Sequence, residues 1–320
     1  MSLFHVVDLT GPEIDAIIAA LQALEPGLVT TTQAGKLAPD AECILNGFIK
    51  LATSANKGLM SKTFAALLES PDKVTFYANS VTGTAGFHNS IYRGKNLGTS
   101  VTAAQYAAIS AGTFDDMFVG DYWVINGVTW RIAGFDYWLH HGDTECTTHH
   151  VVIVPDTNLA TGGLNSTNIT TGAYVGSDYY TGANSNTLKA TAKSAIEGAF
   201  TAAHILTHRE YLKNAVTNGY ESAGAWYDST FELMTEQMVY GCKVFGNCIN
   251  DTNVPASYTI DNAQLPLFRL DHSRICNRAA WWLRDVASAA YFALVDGSGG
   301  CGYAGASYSF GVRPAFGIRA

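Results

Sequence analysis

The chain has 320 residues, enough for one large domain or two smaller ones with a full core. Charged residues make up only 14% of it, while aromatics reach 12% and glycine occurs 31 times, the profile of a loop-rich β protein rather than a disordered one. A formal charge of −8 without a basic cluster argues against a nucleic-acid partner, and no apolar run has the length of a membrane span.

Met1-Ser2-Leu3-Phe4-His5 lacks the basic and apolar regions of a signal peptide, so folding in a cytoplasm is expected. The six cysteines, at 43, 146, 242, 248, 276 and 301, show no zinc-finger spacing. Cys242 and Cys248 are near enough in sequence for a local bridge, but a reducing compartment favours free thiols, which we expect.

Residues 1 to 111 read as a helical or mixed N-terminal region. Thr10-Gly11-Pro12-Glu13 has the form of a capping box with an early proline, followed by Ile14, Ile17, Ile18, Leu21 and Leu24 at helical spacing. Further helices are expected from about 40 to 51 and from about 61 to 68. Their stripes suit an ordinary core or packing against other subunits. Val74 to Leu97 reads as an extended, Gly-punctuated connector, and Thr102-Ala103-Ala104-Gln105 opens another short helix.

From about 112 the pattern turns to strands. Tyr122 to Ile125 and Val128 to Ile132 flank Asn126-Gly127, the strongest local hairpin signal because both turn positions need positive φ. Val151 to Val154 reads as a buried strand. Thr157 to Ser177, free of charge and rich in Thr, Gly and Asn, reads as a long surface loop or insertion. A helix is expected over 189–203. Thr207-His208-Arg209-Glu210 has capping-box form and suggests another to Val216, ended by Asn218-Gly219. Short strands then follow to the C-terminus.

The segment His140-His141-Gly142-Asp143-Thr144-Glu145-Cys146-Thr147-Thr148-His149-His150 invites a metal. Its spacing matches no known site, and adjacent histidines on a strand point to opposite faces, so a polar loop is the preferred reading and no metal is expected. There is no Gly-rich phosphate loop between strand and helix and no Gly-x-Ser-x-Gly elbow. We expect no enzyme and no cofactor; Cys276 and Cys301 are candidates for a reactive pair by position alone.

The tail is the most specific stretch. Ala280-Trp281-Trp282-Leu283-Arg284-Asp285 and Gly311-Val312-Arg313-Pro314-Ala315-Phe316 bracket a run of mostly Ala, Gly, Ser and Tyr, a composition like that of a binding paratope. This frame resembles the C-terminal module of phage and prophage variable proteins, the targets of diversity-generating retroelements. Thr207 to Leu212, Ser222 to Asp228 and Glu232 to Glu236 add to the resemblance. In that family, adenine scrambling of Asn codons cannot yield Lys, Glu, Gln, Met or Trp, and 286–310 contains none of them. The resemblance implies an α+β chain, with a C-type-lectin-like ligand-binding domain over 112–320, the C-terminal two thirds.

The resemblance implies a receptor-binding or adhesion protein on a phage tail or capsid, folded in the bacterial host cytoplasm and displayed on the virion surface. Its partners would be a host-cell surface receptor (protein or glycan) and other virion structural proteins, with no membrane insertion, and the likeness to phage fibres implies a homotrimer. A purely structural virion protein, a capsid decoration or fibre subunit, is the alternative. Calcium-dependent sugar binding is not expected, because the tail offers only Asp285 and Asp296 as carboxylates. The variable face is expected at Ala289, Tyr291, Ala293, Asp296, Ser298, Gly300, Gly302, Tyr303, Ala304, Gly305, Tyr308 and Phe310. Alternation along the strand turns Tyr291, Ala293 and Val295 outward and Phe292 and Leu294 inward. Trp281, Trp282, Arg284 and Arg313 are expected as scaffold, the arginines as buried anchors.

Overall fold

A computed structural model describes residues 75–76, 84–181, 186–217, 220–246 and 263–320. The helices expected at 14–24, 40–51 and 61–68, with Cys43 and Cys248, lie outside the described residues. The chain divides into two compact units, Met1–Pro71 and Asp72–Ala320, and every described residue belongs to the second. A boundary at 111/112 therefore falls inside a compact unit.

The unit opens with β1 (Thr75–Phe76), α1 (Ala85–His88), β2 (Ile91–Tyr92) and β3 (Asn96–Gly98). The 74–97 stretch is thus more than a connector: Phe87, His88, Ile91 and Tyr92 are buried, and β3 runs parallel to β4 (Tyr122–Ile125). These elements are too short to show a period. Between β3 and β4, α2 (Ala103–Ser110) opens with a reciprocal capping box in which Thr102 Oγ1 accepts from Gln105 N–H and Gln105 Oε1 from Thr102 N–H. Strand β4 turns at Asn126-Gly127, φ 53° and 77°, into β5 (Val128–Phe135), as the Asn-Gly signal predicts.

Next come β6 (Val151–Pro155), buried throughout, β7 (Ala160–Gly162) and α3 (Asn186–Phe200). The charge-free stretch 157–177 is not simply a surface loop. It contains β7, and Leu164, Thr170, Ala173, Tyr174, Val175 and Ser177 are buried. Its polar groups bond inward, as when the Tyr174 hydroxyl donates to Glu232 Oε2 at 2.6 Å.

The helix expected from Thr207 is a strand. β8 (His208–Thr217) pairs antiparallel with β9 (Tyr220–Ser229), with Thr217 opposite Tyr220. Glu210, which a capping box would turn back to the helix start, instead lies buried against Arg284, Trp138 and His208. A tertiary partner overrides the local signal; Asn218-Gly219, expected to end that helix, lies outside the described residues.

The remaining elements are β10 (Phe231–Leu233), α4 (Glu236–Tyr240), α5 (Pro266–Leu270), β11 (Trp281–Val286), β12 (Tyr291–Val295), β13 (Cys301–Gly305), β14 (Phe310–Val312) and β15 (Pro314–Ile318). One sheet has the order β10-β15-β6-β5-β4-β3, another β13-β12-β11-β14-β7, and β1–β2 and β8–β9 form ribbons. The unit is mixed α/β, mostly sheet with few helices, and no helix among the described residues is long and apolar enough to cross a membrane.

Arg313 stands between β14 of one large sheet and β15 of the other. It is fully enclosed, donating from Nε to Pro155 O at 2.8 Å and from Nη1 to Ile275 O at 3.3 Å, with its guanidinium 5.0 Å from the Trp281 ring. Burial lowers its pKa to about 10, so it remains charged at neutral pH. Trp130 packs edge-on against both Phe200 of α3 and Phe316 of β15, tying helix to sheet.

Candidate ligand-binding face

Every residue of β11 is buried, which makes it the floor of the C-terminal region. Trp282 Nε1 donates to Gly162 O at 2.8 Å, and its ring meets Phe310 at 5.0 Å. Arg284 Nη2 donates to Glu210 Oε2 at 3.0 Å. Burial opposes ionisation of Glu210, but Arg284 and His208 outweigh it and bring its pKa down to about 2. Trp281, Trp282, Arg284 and Arg313 are thus all buried.

Strand β12 lies between β11 and β13, and β13 is the edge of the sheet. The β12–β13 connection is closed by Asp296, whose Oδ1 accepts from the N–H groups of Ser298 and Gly300 at 2.7 and 2.9 Å. Hydrogen bonds from the Ser298 side chain and these amides hold its carboxyl below the usual range. By strand alternation and register, Tyr291, Ala293 and Val295 share a face with Cys301, Tyr303 and Gly305. Tyr291 and Tyr303 have ring centroids 5.6 Å apart.

Two segments flank this hairpin. From one side, Phe245 meets the Tyr303 ring at 5.0 Å. The residues around it are fastened by Glu236 of α4, a fully buried side chain whose carboxylate accepts from the N–H groups of Val244, Phe245 and Gly246 at 2.8 to 2.9 Å. Its Oε1 also accepts from Cys301 Sγ of β13 at 3.0 Å. From the other side, Asn168 Oδ1 accepts from Ser307 N at 3.0 Å, and Thr170 N donates to Ala289 O at 2.8 Å. Ile169 lies between these two residues.

Phe245, Tyr303 and Tyr291 form one aromatic strip. Among the described residues, the exposed large apolar side chains are Ile169, Val244, Phe245, Tyr291, Tyr303 and Tyr308, each 39% to 56% accessible. All six lie on the β12–β13 hairpin, in the turn after it, or in the two segments bonded to it. Gathered apolar exposure of this kind marks an interaction site, whereas scattered exposure does not.

Of the expected face residues, Ala289, Tyr291, Ser298, Gly300, Tyr303 and Tyr308 are exposed, and Asp296, Gly302, Ala304 and Phe310 are half-buried. Ala293 and Gly305 are buried and cannot contact a ligand without rearrangement. The outward side of β12 is open only at Tyr291; Ala293 and Val295 are buried, and nearby Phe245 lies against Tyr303 and Gly246 against Asp285. At Gly305, an added Cβ would collide with Asn168 Oδ1. Gly302 and Ala304 belong by alternation to the side opposite Tyr303, and Phe310 leans on Trp282, so these positions do not form one plane with the tyrosines.

Sequence reasoning missed Ile169, Val244, Phe245 and Glu236. The available signal was an apolar pair, Val244-Phe245, between Gly241 and Gly246 where no core stripe requires it.

The histidine-rich segment does not converge. His150 is enclosed, accepting at Nε2 from Trp138 N at 3.0 Å, so Nδ1 carries the proton and donates to Thr148 O at 2.8 Å. Burial lowers its pKa to about 3 and keeps it neutral. His149 bonds to Asp136, and exposed His140 bonds to Glu145. No group of three or more potential metal ligands gathers among the described residues. Cys146, Cys242, Cys276 and Cys301 are free thiols. Burial, reinforced by Glu236, pushes the Cys301 thiol pKa far up, while Cys276 Sγ donates to Gly297 O at 3.2 Å.

No protein-family model, curated protein or solved structure matches the chain.

Proposed function

We propose that this chain is a receptor-binding or adhesion protein of a phage virion, displaying a diversified ligand-binding face on a C-type-lectin-like scaffold. The observation that carries the reading is the gathering of exposed aromatic and aliphatic side chains on and around the β12–β13 hairpin, within or against 286–310. A rigid floor beneath a Tyr-, Ser- and Gly-rich surface is how a binding face tolerates change. The placement of the last two strands inside the two large sheets supports a lectin-like domain whose sheet is completed near the C-terminus.

The receptor is a protein or glycan of the host surface, and the region before the sheet unit serves attachment to other virion proteins or trimer formation. The reading assigns no catalysis. A thiol reaction at Cys301 gains nothing from its surroundings, since they favour the protonated form.

Sequencing the DNA beside the gene tests the diversified reading. We expect a reverse transcriptase and an imperfect repeat of the 3′ end spanning codons 286–310. If both are absent, the diversification claim fails and a structural virion protein becomes the better account. Light scattering on the purified chain is expected to give a trimer; a monomer at micromolar concentration contradicts that part.

A further inference from the structure

The exposed patch is only partly built from the C-terminal segment. Phe245 lies far from Tyr303 in sequence, yet the two rings meet at 5.0 Å, edge to face, and the Tyr291 ring lies 5.6 Å from that of Tyr303. Val244, beside Phe245, is half exposed. Glu236 fixes this arrangement from beneath: one carboxylate takes three successive backbone N–H groups of 244–246 and the thiol of Cys301 on β13. Charged acceptors make the stronger hydrogen bonds, and here they tie the segment to the edge strand of the hairpin.

We propose that Val244 and Phe245 form a constant part of the ligand-contacting face, that Glu236 is the positioning residue for it, and that the occupant is a protein partner inserting an uncharged aromatic or aliphatic side chain beside Tyr303. The inference rests on the binding-face reading above and deepens it. The charge distribution selects the partner's chemistry. Glu236 is directed to the loop amides, Lys243 Nζ lies 3.9 Å from buried Asp285, and Asp296 closes its own turn. What these side chains leave facing outward is aromatic ring, valine methyl and phenol hydroxyl. Such a surface suits an apolar anchor with hydrogen bonding at its rim.

The test is an NMR titration of the full chain with indole as the probe, reading the Val244 methyls, the backbone amides of 244–246 and the rings of Phe245, Tyr291 and Tyr303. We expect these signals to shift together along one saturation curve. Phe245→Ala, a change at a partly exposed position, should weaken indole binding at Tyr303 about five-fold or more with little change in melting temperature. Glu236→Gln should move the 244–246 amides and weaken indole comparably while leaving the amides of β5 and β6 in place. If Glu236→Gln fails to fold, Phe245→Ala still decides the matter. Shifts confined to Tyr291, Tyr303 and Tyr308, with Phe245→Ala neutral, would overturn this inference and leave the binding-face reading standing. Saturable shifts from methyl β-galactopyranoside at these residues, without any from indole, would overturn the protein partner in favour of a glycan. No response to either probe would count against both the inference and the reading on which it rests.

Discussion

Strands β11 and β13 belong to one sheet, only one strand apart, and differ in almost every physical respect. All of β11 is buried, with Trp281 and Trp282 fully enclosed and Arg284 held by Glu210. Strand β13 is an edge, with Tyr303 more than half exposed and Gly302 and Ala304 only half-buried. Side chains on β11 are determined by their neighbours. Those on β13 have fewer neighbours to determine them. One sheet can therefore hold a fixed floor and an open face when an edge hairpin is supported by flanking segments rather than by its own side chains.

The sharpest break of this contrast is Trp282→Ala. Removing a fully enclosed indole that bonds Gly162 and packs on Phe310 should cost about 3–5 kcal/mol. Thermal melting should register this as a drop of roughly 10 °C or more. Gly305→Ala comes next, because it adds a methyl where Asn168 leaves no room. We expect a loss of about 1–3 kcal/mol in denaturant unfolding, although the residue sits among apparently permissive neighbours. A neutral result would return Gly305 to the variable face.

Acid should weaken the enclosed side of the molecule first. His150 has a folded pKa of about 3, below its ordinary 6.5. The stability gained by keeping it neutral is therefore intact above pH 6.5 and is lost as pH falls from there towards 3. Buried His88, also lowered, has the same sign. Glu210, brought down to about 2 from 4.5, contributes stability present above pH 4.5 and lost as pH falls through 2. Melting temperature should fall between pH 7 and pH 5, and less steeply in His150→Gln than in the parent chain. An unchanged slope would show that His150 is not the group being protonated. The smallest effect is expected at Tyr308→Ala, an exposed position, within about 0.5 kcal/mol by denaturant unfolding.

Signals confined to a few adjacent residues were legible in the sequence. Asn126-Gly127 specified its hairpin, Thr102 and Gln105 their capping box, and Tyr291–Val295 a strand with Phe292 and Leu294 inside. What misled was local form under tertiary control. Thr207-His208-Arg209-Glu210 looks like a helix start, but Glu210 is claimed by Arg284, far along the chain. Alternation correctly separated the two sides of β12, yet it could not show that the outward side is covered at Ala293 and Val295. The patch residues outside the tail were illegible for the same reason. The Glu236 carboxylate and the Phe245–Tyr303 contact bring in 244–245, and the Asn168–Ser307 and Thr170–Ala289 hydrogen bonds bring in Ile169; none of these leaves a periodic trace in the sequence.

The separation of floor from face is tested most directly by one comparison of melting curves, that of Tyr291→Ser/Tyr303→Ser/Tyr308→Ser combined in a single chain against Trp282→Ala. The three tyrosines carry exposed rings on the edge hairpin and in the turn after it, so the triple variant should melt within a few degrees, roughly 5 °C, of the parent. A triple variant that melts as low as Trp282→Ala would show that the tyrosines are part of the core, and the account of a tolerant binding face on a rigid floor would be wrong.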